Sequence, residues 1–265
     1  MQMTLAKVKA LLRNEGPLET LRRCALYPFR GRRDARLAEL QRTGSRADVF
    51  IGIFEGNYWN VHESVSGGGS TLRYTASLRN ALPELFRSKS IESVYDAPCG
   101  DFNWMRHVVR ETGIDYLGAD IVPALIDELE KTRADARTRF IVSDIVTGAF
   151  PEADLWICRD CLFHLSYADI QQALANFVAS KIPYVLTSTH RVPDGYRNED
   201  IRSGGFRQID LFSAPFCFPA DVAFRVTDWV EGSHYPRREM CVWTREQIAA
   251  VLPKMARELS GATAL

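Results

Sequence analysis

The sequence has no apolar run near the ~20 residues that a membrane-crossing helix requires. Its N-terminus also lacks the basic-then-apolar order of a signal peptide. Both absences lead to the expectation of a cytoplasmic protein with no membrane span. Net charge is missing too, since lysine plus arginine and aspartate plus glutamate each total 33. A chain without a global field is a poor partner for nucleic acid or an anionic membrane. Cys158 and Cys161 form a C-x-x-C, but no second pair or histidine cluster at zinc spacing accompanies them. The six cysteines sit mostly in apolar or strand-like runs and read as reduced, buried thiols, so no metal is expected at them, while a magnesium ion that assists at an acceptor site stays open. Glycine is scarce where a dinucleotide needs it: "APCGDFN" has one, against the three of G-x-G-x-x-G.

What is present describes an ordinary soluble enzyme, with 46% hydrophobic and 25% charged residues over 265 positions. Residues 3 to 43 read as two or three short helices, broken at Gly16-Pro17 and around Pro28 to Gly31. They carry a local arginine excess (Arg22, Arg23, Arg30, Arg32, Arg33, Arg36), which is either a solvated face or a docking surface for a membrane or partner. Residues 1–56 are read as an N-terminal helical extension and 57–265 as the main domain. A polar, glycine-rich loop, "FEGNYWNVHESVSGGGST", leads into a helix capped by Ser70 or Thr71. Leu78, Leu82 and Leu85 share one face of that helix, and Pro83 kinks or ends it.

From residue 91 strands and helices alternate. "SVYDA", "DYLGAD", "RFIVSD", "ADLWICRD" and "PYVLTST" read as strands, with helices at about 102–112, 122–136 and 167–180. "VAFRVTDWV" and "EMCVW" follow with no helix between them, and so pair antiparallel at an edge. A helix follows from about 244. The fold class is α/β, a Rossmann-like, mainly parallel seven-stranded sheet with an antiparallel edge.

Ligands of such sheets bind beyond the carboxyl ends of the strands. The first four strands each place an acid there: Asp96, Asp120, Asp144 and Asp160, the first three at equal intervals. Singly, each is explained by a helix cap. Together they form an acidic rim that accepts hydrogen bonds from an amine, a ribose diol and an adenine amino group. Asp101, directly after the single glycine, repels a pyrophosphate and attracts a cationic tail. That balance favours S-adenosylmethionine (SAM) over NAD.

Five segments, "ESVSGGGSTLRYTASLRNALPEL", "YDAPCGDFNWM", "YLGADIVPALI", "CRDCLFHLSYADI" and "GGFRQIDLFSAPF", resemble the motifs of a bacterial family of class I SAM-dependent methyltransferases. Its members are often encoded among genes for cell-surface polysaccharides. The resemblance covers roughly residues 57 to 250 and departs at Phe206, where a tryptophan is expected before the arginine. It implies SAM as cofactor, S-adenosylhomocysteine (SAH) as product and a glycan or sugar-containing metabolite as acceptor. By position it places Asp96, Cys99, Gly100, Asp101 and Phe102 at the methionine moiety and Asp120 with Ile121 at the ribose. Asp144 with Ile145 falls at the adenine, and Arg159 flanks the methionine part. Trp59 and Ser66 belong to a lid-like cover over the cofactor, although Trp59 also reads as a hydrophobic anchor for the N-terminal helices.

Transfer to a hydroxyl requires a base. Asp160 and His164, four apart in "RDCLFHL", and His190 after the fifth strand are the candidates; each histidine also reads as a packed one. The polar loop after the fifth strand offers Asn198, Arg202 and Arg207 to a sugar, or is a surface loop without a ligand. Two rivals remain at this level: an NAD(P)-dependent oxidoreductase, and a non-catalytic SAM-binding scaffold of a glycan assembly system.

Overall fold

The computed structural model describes residues 34–59 and 61–262, together with a few isolated positions before 34. The chain forms two compact units, residues 1–58 and 59–265. In the first, residues 34–43 (α1) and Arg46–Glu55 (α2) are helical. Ser45 caps α2 through a capping box: its hydroxyl accepts from the Asp48 N–H, and the Asp48 carboxylate accepts from the Ser45 N–H. Of the helix breaks expected at Gly16-Pro17 and Pro28 to Gly31, Pro17 alone is described, and it is helical; the other break residues and all of those arginines except Arg36 lie outside the described residues.

The second unit is a seven-stranded sheet in the order β3-β2-β1-β4-β5-β7-β6. Its strands are Ser93–Asp96 (β1), Asp115–Asp120 (β2), Thr138–Val142 (β3), Leu155–Cys158 (β4), Tyr184–His190 (β5), Phe224–Thr227 (β6) and Arg238–Thr244 (β7). The first five are parallel, and β7 runs antiparallel to both β5 and β6. Helices Met105–Thr112 (α4), Pro123–Arg133 (α5) and Tyr167–Ala179 (α6) make the crossovers; Ala76–Ser88 (α3) precedes the sheet and Arg245–Ala262 (α7) ends it. Every residue of β4 is buried, as a continuous apolar strand in the middle of a covered sheet should be. Edge strand β6 instead alternates between half-buried and exposed positions.

The order reverses between β1 and β4, the switch point at whose carboxyl edge open α/β sheets form their ligand-binding crevice. All seven strands fall where the sequence pattern puts them, and the edge pair is antiparallel as expected. Helix α3 differs. It starts at Ala76, after neither Ser70 nor Thr71, because Ser70 closes a 3-10 turn and its carbonyl accepts from Asn103. Pro83 does not end the helix, which continues to Ser88 with Leu78, Leu82 and Leu85 all buried. No helix among the described residues is long and apolar enough to cross a membrane.

Candidate active site

The turn after β1 is built around two buried carboxylates. Asp96, the last residue of the strand, accepts a hydrogen bond from the Tyr116 hydroxyl at 2.7 Å. Burial pushes its pKa up to about 7, against the opposing pull of that bond and of the Arg159 charge. Asp120, the last residue of β2, accepts from the N–H of Gly100 at 3.2 Å and of Val122 at 3.1 Å. Burial lifts it to about 6, although both bonds favour the carboxylate. Ile121 beside it is half-buried. The Cys99 N–H bonds the Ala119 carbonyl at 2.8 Å, tying the turn to β2, and burial pushes the Cys99 thiol up. Gly100 has φ +55°, and a Cβ there would lie 2.4 Å from the Ser66 hydroxyl, so both conformation and space demand glycine. Phe102 turns away from the crevice. Its ring packs in the core against Tyr116 and Phe140, with centroids 4.8 and 5.1 Å away.

The loop at residues 63–71 is lashed to this turn. The Asp101 carboxylate accepts from the N–H of Val65 (2.9 Å) and of Asn103 (3.2 Å), while the Asp101 N–H donates to the Ser66 hydroxyl at 2.9 Å. The Asn103 amide donates to Glu63 and to the Ser70 carbonyl, both at 3.0 Å. Glu63 also accepts from the Leu72 N–H at 2.6 Å. The run Gly67-Gly68-Gly69 supplies close approach, and at Gly67 also a φ of +96°. An added Cβ would meet Trp59 at 3.3 Å from Gly67, the Tyr235 hydroxyl at 2.5 Å from Gly68, and Arg238 and Asp160 at 2.8 and 2.9 Å from Gly69. The lid-like loop is thus a packed cover.

Behind it lies a buried ion network of two guanidiniums and two carboxylates. Arg159 donates to Asp228 through Nε and Nη2, both at 3.0 Å, and through Nη2 to the Gly69 carbonyl at 2.7 Å. Its guanidinium also lies 5.4 Å from the centre of the Trp104 ring. Arg238 bridges Asp228 (3.1 Å) and Asp160 (2.7 Å) and meets the Tyr74 hydroxyl at 3.1 Å. Asp160 has φ +53°, and its N–H donates to the Ser188 hydroxyl at 3.0 Å. Burial would raise the Asp160 pKa, but Arg159 and Arg238 outweigh it and hold the carboxylate below its ordinary range. Such a carboxylate is a weak base. Arg159, expected to flank a cofactor, is committed to this network.

Two histidines face the same region with opposite tautomers. His164 Nδ1 lies 2.6 Å from the Gly205 carbonyl. A carbonyl only accepts, so Nδ1 carries the hydrogen and Nε2 keeps its lone pair. Burial lowers the His164 pKa, so the ring is neutral at pH 7. At His190 the Ile209 N–H donates to Nδ1 at 3.0 Å, which puts the hydrogen on Nε2. Burial lowers His190 to about 4, leaving it a neutral donor with its free lone pair already used. Of the three expected bases, His164 alone is neutral with a ring lone pair that takes no hydrogen bond among the described residues.

The remaining expected positions divide. Asp144, just past β3, accepts from the Val146 N–H at 2.9 Å and the Thr147 hydroxyl at 3.2 Å; Ile145 is buried, and its carbonyl accepts from Asn176 at 2.9 Å. Asn198 is absorbed by its own loop, donating to the carbonyls of Asp210 and Ala214 and accepting from the Asp210 N–H. Arg202 is exposed. Arg207 is buried over the Tyr167 ring, with Nη1 on the Leu162 carbonyl at 3.1 Å and no hydrogen-bond partner for Nε or Nη2. Glu63, Asn103, Ser188, Asp228 and Arg238 escaped the sequence reading. "GDFNW" and "ESV" held a signal for the first two, as polar residues inside otherwise apolar motifs. Cys158 and Cys161 are buried thiols, and burial pushes Cys158 up.

Residues 94–180, from β1 to just past α6, match the family model of a methyltransferase domain, about a third of the chain. No curated protein matches significantly. Among solved structures, the chain is similar to a SAM-dependent methyltransferase from Leishmania major at 14% identity, covering 78% of this chain and 88% of that one, with TM-score 0.56. It is also similar to PigF, solved with SAH, at 14% identity over 92% and 78% of the two chains, with TM-score 0.52. The segment holding the two carboxylates, Asp160 and His164 is therefore the one that matches a methyltransferase domain, on a fold shared with a SAM-dependent methyltransferase.

Proposed function

We propose that the chain is a SAM-dependent methyltransferase that methylates a sugar hydroxyl on a glycan or sugar-containing metabolite, with His164 as the base and SAH as the product. The carrying observation is the His164 tautomer: a neutral imidazole whose Nδ1–H is anchored on Gly205 and whose Nε2 lone pair is left for a proton. The sugar acceptor comes from the family that the motifs resemble. Residues 57–265 form the catalytic domain in this reading, and 1–56 its extension.

The residues present fit the cofactor. Asp96 and Asp120 are buried carboxylates on either side of a one-glycine turn, raised by burial to about 7 and 6. A cation or a hydroxyl pair eases their desolvation, whereas a phosphate sharpens it. SAM, when bound, supplies an electrophilic methyl group whose sulfur departs without a proton. Asp96 and Gly100 hold the amino-acid end, Asp120 and Ile121 the ribose, and Asp144 and Ile145 the adenine. Asp101, Cys99 and Arg159 build the walls, Phe102 packs behind them in the core, and Ser66 braces the turn. His164 removes the acceptor's proton as the oxygen attacks, while Gly205 keeps its ring in place. Asp160 favours the imidazolium that forms, and the ion network keeps that carboxylate ionised.

Titration calorimetry with SAH and NAD tests the cofactor. Saturable SAH binding without NAD binding is expected, and the reverse sinks the reading. Mass shift of candidate glycans with labelled SAM tests the acceptor, with addition of one methyl expected.

A further inference from the structure

We propose that Trp59 and Phe206 set acceptor specificity by holding the acceptor's sugar ring beside His164; this rests on the methyltransferase reading above. Neither aromatic belongs to the buried core. Among the described residues they are the two exposed phenylalanine, tryptophan or tyrosine side chains, at 38% and 55%, while Trp104, Trp156 and Trp243 are buried. Both neighbour the same imidazole: the Trp59 ring centroid is 6.4 Å from His164 and that of Phe206 is 5.8 Å away. Exposed aromatics scattered over a surface carry no meaning, but two that converge on one base mark a contact surface.

Both rings are also held in place. Trp59 lies against Gly67, where a Cβ would come within 3.3 Å of it. Phe206 meets Phe163 edge-on at 5.6 Å and 79°, and His190 at 6.2 Å and 81°. A ring fixed before the ligand arrives loses little entropy on binding. Arg207, the next residue, points its guanidinium at Leu162 and Tyr167, so the loop presents its apolar residue rather than its charged one to the base. The apolar C–H face of a pyranose suits such rings, with the reacting hydroxyl at the ring's edge reaching Nε2 of His164. On this assignment Trp59 serves the acceptor rather than covering the cofactor.

The test is titration calorimetry at saturating SAH with methyl pyranosides of several configurations, and with phenol and catechol as flat aromatic probes. At least one pyranoside should bind, weakening about tenfold in both Trp59→Ala and Phe206→Ala and keeping its affinity in Phe206→Trp. SAH affinity and melting temperature should stay unchanged in all three variants. Pyranoside binding indifferent to both alanine substitutions overturns the proposal, as does binding of the phenols alone or of no probe. A fall in SAH affinity in Trp59→Ala makes Trp59 a cofactor cover and overturns its part. Failure of the unsubstituted chain to bind SAH removes the methyltransferase reading instead.

Discussion

Removing the charge of Asp228 should destabilise the sheet domain more than any substitution at the crevice surface. Asp228 is fully buried and takes hydrogen bonds from Arg159 Nε and Nη2 at 3.0 Å and from Arg238 Nε at 3.1 Å. With Asp228→Asn, two guanidiniums that are only 4% exposed share one remaining carboxylate, Asp160, whose side chain is 23% exposed. Breaking a buried ion pair from one side costs about 3–5 kcal/mol, since the stranded charge keeps its desolvation penalty. For a domain of this size each kcal/mol lowers the melting temperature by roughly 2–4 °C, so a fall of roughly 6–20 °C is expected. Removing a cation as well, in Asp228→Asn with Arg159→Met, restores the charge balance and should recover part of the loss. Thermal unfolding followed by circular dichroism measures all three proteins. A single variant melting within about 2 °C of the parent, or a double variant no better than the single, would refute the argument that charge balance holds this site together.

Three further outcomes follow from the same geometry. Gly100→Ala forces a side chain onto a φ of +55° and into the Ser66 hydroxyl; it should cost about 1–2 kcal/mol and most of the SAH affinity, and Ser66→Gly in the same chain should return the steric part, read by denaturant titration and calorimetry. His164→Ala should lower kcat by roughly 10²-fold or more while SAH affinity stays within a few-fold, and in the parent kcat should be level at and above pH 7 and fall only on the acid side of the ordinary histidine range as the base takes up a proton, because burial holds that pKa under its ordinary value. Asp96 titrates near 7 in the folded chain against 3.8 in its ordinary state, so the native form holds the extra proton between those values and the cofactor-free chain should lose stability as pH rises from about 4 to 7; Asp96→Asn should flatten that slope, and an unchanged slope would assign it elsewhere.

The fold was legible because its information is local. β4 is a continuous apolar run, α4 ends at Gly113 with φ +64°, and β6 and β7 have no helix between them. Each of these is set by neighbours in sequence, and alternation of strand and helix then leaves few topologies. The start of α3 was misplaced for the opposite reason. Ser70 and Thr71 are good cap residues by type, but the Ser70 carbonyl is taken by Asn103, 33 positions away. A contact of that range decides a boundary without leaving a trace in the local pattern.

The same division separates the parts of the site. Residue types at strand ends revealed the acids, since an aspartate closing an apolar strand is conspicuous in itself. What each acid does depends on its partners. Asp160 looked as good a base as His164, yet Arg238, 78 positions away, keeps its carboxylate ionised and weakly basic. His190 looked like a third candidate, yet the Ile209 N–H occupies the nitrogen that would have accepted a proton. His164 and His190 are the same residue type on the same rim, and a carbonyl at one and an N–H at the other turn them into an acceptor and a donor. Composition and spacing name the groups that can carry chemistry; the direction in which a proton moves is set by a single backbone atom placed by a distant loop.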